Sequence, residues 1–268
     1  MLYDGSLASS SKSDNIINIW NLNNGELIKN ITHVVSWISH LVVLKDHSLA
    51  SCSSYGIYIW NTKTTELIKI LNNDCASLTI IPNGLLVSGG WNDPVITIWD
   101  PYKGIIIKNL IGHVKVVSCL VVLKDGKSLA SGSYDGMIKI WNTESGLMIN
   151  SFSVGYPSWV TCLTVLKDGN LVSGSLESIK IWNTRNNFKM IKILQKKSGI
   201  INSLAVLPDG RLVSCSNEVS SIKIWNVNNG TLSLKLNGHN SKVNALLVIK
   251  NSVLVSGSED GIIKLWKF

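Results

Sequence analysis

The sequence predicts an all-β protein in which one short unit is repeated seven times. An Ile-Trp or Leu-Trp pair recurs at intervals of 39 to 43 residues, ending at Trp20, Trp60, Trp99, Trp141, Trp182, Trp225 and Trp266. This period accommodates four strands of about five or six residues with short connections, and periods of this length mark solenoids, propellers or arrays. No segment has a helical pattern of three turns or more.

The clearest copy of the unit spans Gly112–Asn142. Its first apolar run is followed by Asp125-Gly126, a strong signal for a hairpin turn. A second run is followed by another turn at Asp135-Gly136 and by a third strand that ends in Trp141. A fourth strand follows the tryptophan, as in Glu26-Leu-Ile-Lys and Glu66-Leu-Ile-Lys.

At these residues the chain resembles the WD-repeat β-propeller family, whose repeats carry Gly-His and Trp-Asp signatures. Gly-His is present at Gly112-His113 and Gly238-His239, and Thr32-His33 is a degraded copy. Asn replaces Asp after the tryptophan in five repeats, and its side-chain oxygen can still cap the turn backbone. The resemblance covers residues 1–268 and implies a single domain, a seven-bladed propeller of four-stranded antiparallel blades.

The two ends of the chain leave the first and last blades incomplete. We count six first, seven second, seven third and six fourth strands. Seven blades are therefore expected, with dimerisation through the incomplete seam as a further expectation. In the alternative, six blades form, residues 26–31 complete the last blade, and residues 1–20 are a surplus hairpin. That hairpin would expose Ile17, Ile19 and Trp20 with nothing to cover them.

The composition favours a packed protein without a membrane span. Hydrophobic residues make up 45% of the chain and charged residues only 16%, which argues against disorder. Residues 1–15 lack the apolar core of a signal peptide, and no apolar run approaches about eighteen residues. We therefore expect a cytoplasmic location, with the nucleus as the alternative. The cysteines lack metal-ligand spacing, so we expect buried free thiols, no disulfide, no metal and no cofactor.

The net charge of +8 comes mostly from lysines that are phased with the repeat. Lysines in the fourth strands are expected to protect an exposed sheet edge: Lys29, Lys69, Lys108, Lys192 and Lys235. Others cluster at the first hairpin of each repeat, namely Lys45, Lys124, Lys167 and Lys250. This lysine-rich side is the alternative binding surface, for phosphate, lipid headgroups or RNA. Only two arginines are present, which argues against nucleic acid.

The resemblance also implies two structural tetrads, each joined by hydrogen bonds from indole through hydroxyl and imidazole to carboxylate. They are His113, Ser131, Asp135 and Trp141, and His239, Ser256, Asp260 and Trp266. Ser, His and Asp also form hydrolytic triads, but an active site is single, whereas this set occurs twice. No nucleophile elbow, phosphate loop or His-Glu-x-x-His is present, so we expect no enzyme. Leu176, Val219 and Ser54 replace the aspartate in three blades, which we expect to rely on packing.

Three tryptophans stand outside the repeat and predict a binding surface. Trp37 and Trp159 precede first strands, and Trp91 lies in a loop between second and third strands. Exposed aromatic residues on loops held by a rigid scaffold commonly form binding sites. The predicted site comprises Trp37, Trp91, Trp159, Tyr55, Tyr134, Asp74, Lys242 and Glu259. If these tryptophans instead pack against a neighbouring blade, the site does not exist.

The sequence thus predicts a non-catalytic scaffold that binds a protein or peptide on the loop face around the channel mouth. The first alternative is phosphate, lipid-headgroup or RNA binding on the lysine-rich side. A second alternative is a structural fragment with no binding role of its own, suggested by the missing strands.

Overall fold

The computed structural model describes residues 1–11, 14–32, 37–155, 158–176, 178–196, 199–249 and 252–268. These residues form seven antiparallel sheets, the blades of a seven-bladed β-propeller, and only the first and last have three strands instead of four. The predicted fold class is confirmed. Because β3 pairs with β2, the six-bladed alternative is wrong. His33 and Lys250 lie outside the described residues.

One compact unit consists of residues 1–122 and 143–147. Its first sheet contains β1 (Leu7–Ser10), β2 (Ile16–Trp20) and β3 (Leu27–Thr32). The second contains β4 (His40–Val43), β5 (Leu49–Ser53), β6 (Gly56–Trp60) and β7 (Leu67–Leu71). The third contains β8 (Ser77–Ile80), β9 (Leu86–Gly89), β10 (Ile96–Asp100) and β11 (Ile105–Leu110). The unit also includes β12 (Val117–Val122), which belongs to the fourth sheet.

The other unit consists of residues 123–142 and 148–268. It contains β13 (Ser128–Ser133), β14 (Met137–Asn142) and β15 (Met148–Ser153) of the fourth sheet. The fifth sheet contains β16 (Val160–Val165), β17 (Leu171–Ser175), β18 (Ser178–Asn183) and β19 (Lys189–Lys196). The sixth contains β20 (Ile201–Val206), β21 (Leu212–Ser216), β22 (Val219–Asn226) and β23 (Thr231–Leu236). The seventh contains β24 (Val243–Val248), β25 (Leu254–Ser258) and β26 (Ile263–Trp266).

The turns are stabilised by the aspartate, asparagine and glycine residues from which they were predicted. Before β13, Asp125 Oδ1 accepts the backbone N–H of Ser128 at 2.8 Å. Gly126 follows with a φ of 70°, a conformation that glycine adopts without steric cost. After β6, Asn61 Oδ1 accepts the N–H of Lys63 at 2.9 Å, so the predicted capping by asparagine is confirmed.

Every repeat tryptophan donates its indole N–H to a serine hydroxyl on the adjacent second strand, at 2.8 or 2.9 Å. The pairs are Trp20 and Ser9, Trp60 and Ser51, Trp99 and Ser88, Trp141 and Ser131, Trp182 and Ser173, Trp225 and Ser214, and Trp266 and Ser256. The blades that lack the tetrad aspartate keep this bond. That these blades rely on packing in place of the aspartate stays a prediction.

Four of these tryptophans also pack against the preceding sheet of the same unit, namely Trp60, Trp99, Trp225 and Trp266. Trp60 packs in a core cluster with Ile17 and Ile19 of the first sheet. Trp225 packs in the same way with Ile179 and Ile181 of the fifth sheet. Burying such large side chains stabilises the contact between these sheets, at roughly 25 cal/mol for each Å² of apolar surface removed from water.

The phased lysines bridge neighbouring sheets as well as lining their edges. Fourth-strand lysines donate Nζ–H to carbonyl groups in the turn after the third strand of the next sheet: Lys29 to Lys63 at 3.0 Å, Lys69 to Tyr102, Lys108 to Glu144, and Lys192 to Asn228 at 2.6 Å. First-hairpin lysines do the same: Lys45 to Pro82 at 2.5 Å and Lys124 to Lys167 at 2.6 Å. Lys235 does not belong to the set, because it stands one position further along and opposes Lys223.

A disulfide joins Cys52 of the second sheet to Cys75, which precedes the first strand of the third, with 5.4 Å between the Cα atoms. The expectation of free thiols at these two positions is wrong. In the third, fourth, fifth and seventh sheets the place of Cys52 is taken by glycine, and a Cβ added at Gly174 would lie 2.7 Å from Ile201 of the next sheet. Cys75 occupies the place of that isoleucine, so the two cysteines face each other.

Three cysteines remain free thiols, as expected: Cys119, Cys162 and Cys215. Burial raises the pKa of Cys162 to about 12, so its thiol stays protonated and unreactive at neutral pH.

We expect the disulfide to contribute about 3 kcal/mol to the free energy of unfolding, because it closes a loop with a sequence separation of 23 residues. The matched control for Cys52→Ala with Cys75→Ala is Cys162→Ala with Cys215→Ala, which removes two buried sulfurs but no cross-link. Urea denaturation should show the larger loss for the first pair. Alkylation of the denatured, unreduced protein should label three cysteines, and labelling of all five would show that no disulfide forms.

Trp141→Ala should lower the free energy of unfolding by about 3–5 kcal/mol, because the ring is buried and hydrogen-bonded. Trp159→Ala is the control of equal size at a side chain that is 42% exposed, and it should cost about 1 kcal/mol or less. Equal losses in thermal or urea denaturation would contradict the structural role of the repeat tryptophans.

Candidate functional site

Backbone hydrogen bonds show which end of a sheet carries the predicted site residues. Ser39, just before β4, donates its backbone N–H to Cys52 O at 2.8 Å, and Glu259 donates to Lys242 O at 2.9 Å. The start of the first strand therefore lies beside the turn between the second and third strands. We call this end of a sheet its loop end. Trp37 and Tyr55 lie at the loop end of the second sheet.

In the unit of residues 123–142 and 148–268, Tyr134 and Trp159 form an aromatic stack. Their ring centroids are 4.8 Å apart and the ring planes are 19° from parallel. Tyr134 stands in the turn before β14, and Trp159 precedes β16 in the next sheet. The turn approaches closely at Gly136, where an added Cβ would lie 2.9 Å from Ser158 O. Such stacks are worth about 0.5–1.5 kcal/mol beyond area burial, so each ring holds the other in place.

In the unit of residues 1–122 and 143–147, Asp74 holds the loop that carries Trp91. Its Oδ2 accepts the backbone N–H of Trp91 at 3.0 Å and that of Asn92. The Trp91 side chain is 41% exposed at the loop end of the third sheet. Asp74 thus positions the indole through the backbone, and its carboxylate is engaged within the protein.

Trp37 and Tyr55 are more exposed, at 60% and 70%. The backbone of Trp37 has a φ of 68°, in the left-handed region that bulky residues rarely occupy. Such conformations cluster at functional sites, where the surrounding structure sustains their cost. Lys242 and Glu259 form an ion pair at 3.9 Å that is about half exposed, and such a pair contributes little to stability.

The His239 tetrad forms a continuous chain of hydrogen bonds. Trp266 donates to Ser256 Oγ at 2.8 Å, Ser256 lies 2.8 Å from His239 Nε2, and His239 Nδ1 lies 2.9 Å from Asp260 Oδ2. An indole N–H can only donate, so the serine accepts from it and donates to Nε2, and Nδ1–H donates to the carboxylate. Ser256 and His239 are buried. The hydroxyl therefore links the tryptophan to the histidine and is shielded from solvent.

Asp260 is the charged end of this chain. Burial alone would raise the pKa of its carboxyl group, but the Asn240 N–H, the His239 ring and the Ile262 N–H donate to it and lower the pKa to about 2. Asp260 thereby fixes the loop before β24 to the turn before β26.

The other predicted tetrad consists of His113, Ser131, Asp135 and Trp141. His113 lies in the unit of residues 1–122 and 143–147, and the other three lie in the unit of residues 123–142 and 148–268. Trp141 donates to Ser131 Oγ at 2.8 Å, and Asp135 Oδ1 accepts the N–H of Met137 at 2.9 Å. His113 is buried. Ser131 and Trp141 thus lie on β13 and β14, and Asp135 lies in the turn between these strands.

The sequence analysis missed a repeated apolar surface on the outer strands. Exposed aliphatic side chains line six of them, including Leu27, Ile28, Leu67, Ile68, Ile105, Ile106, Met148, Ile149, Met190, Ile191, Leu232 and Leu234. The signal was the pair of adjacent apolar residues in five of the six fourth strands, since alternating faces place one of any two neighbours outward.

The described residues contain no group of three or more His, Cys, Asp or Glu side chains placed to hold a metal ion. Among the described residues there is no helix long and apolar enough to span a membrane.

Stability should fall as the pH drops from about 4 to about 2, because the folded state holds the pKa of Asp260 at about 2 while the unfolded chain takes up its proton near 3.8. Asp260→Asn should be less stable at neutral pH and should lose less stability across this interval. The control is Asp93→Asn, at an exposed loop position. Parallel curves for Asp260→Asn and the unaltered protein in pH-dependent urea denaturation would contradict the assignment.

Comparison with known proteins agrees with this architecture. The family model described as WD domain, G-beta repeat matches residues 104–142, 148–183 and 230–267. A BTB/POZ domain and WD-repeat protein of Acanthamoeba polyphaga mimivirus is 29% identical over 126 residues, which cover 44% of this chain and 23% of that protein. The chain therefore aligns with less than a quarter of its relative. With three matched repeats and seven sheets of the expected topology, the chain belongs to the WD-repeat β-propeller family.

Proposed function

We propose that this chain is a non-catalytic scaffold that binds a protein or peptide at the loop ends of its sheets. The observation that carries the proposal is the Tyr134–Trp159 stack. Its two rings come from neighbouring sheets, it is mutually supported, and Trp159 remains 42% exposed. A rigid aromatic surface of this kind loses little entropy on binding and combines a large apolar area with an indole N–H donor.

The other predicted residues support the same chemistry. Trp91 is held on an ordered loop by Asp74, and Trp37 is exposed on a strained backbone. Lys242 and Glu259 add charges of both signs, which suits the polar rim of a protein interface better than a site for a single anion. Trp37 and Trp91 belong to one compact unit and Trp159 to the other, so each is tested separately.

The lysine-rich side is the weaker candidate. Lys45 and Lys124 at the first hairpins each donate to a backbone carbonyl of the next sheet. A phosphate would have to compete with these hydrogen bonds. The family supports a protein-interaction role in general, and the mimivirus relative is too distant and too partial to identify a partner.

A cytoplasmic location stays a prediction. Disulfides are rare in the reducing cytosol, so the Cys52–Cys75 cross-link is an argument against it.

The test selects ligands for the protein from a random dodecapeptide library displayed on phage, and measures the selected peptides by calorimetry. Trp159→Ala and Tyr134→Ala should each weaken a peptide that uses the stack by about 1–4 kcal/mol. Trp37→Ala and Trp91→Ala should act in the same range on peptides that use the other unit. The fold of each variant is checked by thermal denaturation.

Two control variants separate the surfaces. Tyr102→Ala removes an aromatic side chain that is 47% exposed in the turn after β10, at the opposite end of the third sheet. Lys167→Glu reverses a charge at the first hairpin of the fifth sheet. Both should leave binding within about twofold. Loss of binding in Lys167→Glu, with none in the tryptophan variants, would overturn the proposal in favour of the lysine-rich side.

A further inference from the structure

The Cys52–Cys75 disulfide lies at the loop ends of the second and third sheets, beside the loops that carry exposed aromatic residues. Ser39, two residues after Trp37, donates its hydroxyl to the Cys52 sulfur at 3.2 Å and its backbone N–H to Cys52 O at 2.8 Å. The segment before β4, which carries Trp37, is therefore attached to one half of the disulfide.

The other half of the disulfide is attached to two further loops of the same unit. Cys75 donates its N–H to Ser53 O at 2.9 Å, and the Ser53 hydroxyl accepts the N–H of Tyr55 at 3.2 Å. Asp74, the residue before Cys75, accepts the backbone N–H of Trp91 at 3.0 Å. Each predicted aromatic residue of this unit is thus connected to the disulfide through one or two intervening residues.

The place that the disulfide occupies leaves no room for a side chain in two other contacts between sheets. A Cβ added at Gly89 would lie 2.6 Å from Val117, and one added at Gly174 would lie 2.7 Å from Ile201. Two cysteine side chains fit the equivalent contact because bonded sulfurs lie closer than unbonded atoms, which settle at about 3.5–4.0 Å. Breaking the bond therefore makes the two sulfurs repel, and the cysteines move apart.

We propose that the redox state of the Cys52–Cys75 pair controls binding at the loop ends of this unit, where Trp37, Tyr55 and Trp91 lie. The inference rests on the proposed function. In the disulfide form the two sheets are cross-linked, and the aromatic residues are held in position for a protein or peptide ligand. In the dithiol form the residues bonded to the two cysteines move with them, the loops lose their fixed positions, and affinity falls.

The reduction needs a dithiol as its reaction partner. A thiolate of this reductant attacks one sulfur of the disulfide, and the other cysteine leaves and takes up a proton. The second thiol of the reductant then releases the chain with two free thiols, and the reductant itself becomes a disulfide. Because Cys52 and Cys75 are buried, this exchange requires the contact between the two sheets to open transiently. Disulfides in a reducing compartment are usually transient and redox-sensing, so such a switch is compatible with the predicted cytoplasmic location.

Hydrogen exchange tests the coupling without a ligand. The N–H groups of Trp91 and Asn92, which Asp74 accepts, should exchange at least fivefold faster after complete reduction with dithiothreitol, verified by alkylation and mass spectrometry. The N–H of Met137, which Asp135 accepts in the other unit, is the matched control and should change less than twofold. Equal rates at Trp91 and Asn92 in both redox states would overturn the inference.

Binding is measured by calorimetry with two kinds of selected peptide. Peptides that depend on Trp37 or Trp91 should bind at least fivefold more weakly to the reduced chain than to the oxidised chain. A peptide that depends on the Tyr134–Trp159 stack should change less than twofold, because the stack lies in the other unit. Equal affinity of the first kind in both redox states, or equal weakening of both kinds, would overturn the proposal. Failure to select any peptide contradicts the proposed function, and the exchange rates then still decide the coupling.

A double substitution should remove the switch and keep the site. Cys52→Gly with Cys75→Ile copies the Gly174–Ile201 pair, so the contact should close without a disulfide. This variant should bind the first kind of peptide within about twofold of the oxidised chain, and dithiothreitol should not change its affinity.

The matched control removes two free thiols, by Cys162→Ala with Cys215→Ala, and should keep the full response to dithiothreitol. A response that persists in the first variant, or one that disappears in the control, would show that the Cys52–Cys75 pair is not the sensor and would overturn the proposal. If the first variant does not fold, hydrogen exchange and binding of the unaltered chain in its two redox states decide the question.

Discussion

The structure depends on one hydrogen bond that every sheet repeats, from the indole N–H of the third strand to a serine hydroxyl on the second. An indole N–H can only donate, and five of these rings are buried, so an acceptor must stand at a fixed place. The bond orients the ring, and the ring then packs on isoleucines of the preceding sheet, as Trp60 does on Ile17 and Ile19. One interaction thus joins strands within a sheet and shapes the contact between neighbouring sheets of the same unit.

The remaining members of the tetrad extend this bond and are not needed for it. In the second and fifth sheets the aspartate is replaced by Ser54 and Leu176, yet Trp60 and Trp182 keep their serine acceptors. In the seventh sheet, which has three strands, His239 and Asp260 continue the chain of hydrogen bonds to the loop before β24. The histidine and aspartate therefore order loops, while the serine supplies the acceptor for the indole N–H of the core tryptophan.

Features that repeat along the chain could be predicted from the sequence, because each is determined within a single unit. The tryptophan spacing, the Asp125-Gly126 turn and the seven sheets are of this kind. Contacts between neighbouring sheets could not be predicted from the sequence, because they depend on which positions face each other across two sheets. The Cys52–Cys75 disulfide and the lysine-to-carbonyl bonds belong to this second class. The repeats themselves contain the necessary signal. Cys75 is equivalent to Ile201 of another repeat, and Ile201 faces Gly174, which is equivalent to Cys52.

Periodicity also separates residues that hold the fold from residues available for another purpose. Six of the lysines that recur with the repeat bind a backbone carbonyl of the next sheet, as Lys29, Lys45 and Lys192 do, so part of the positive charge is explained by contacts between sheets. A half-exposed indole that occurs in one or two sheets has no such explanation, because exposure of its apolar surface to water is unfavourable and the equivalent residues elsewhere are different. The reason to assign binding to the loop-end aromatics, and not to the net charge, is therefore that they are the large side chains the repeat does not require.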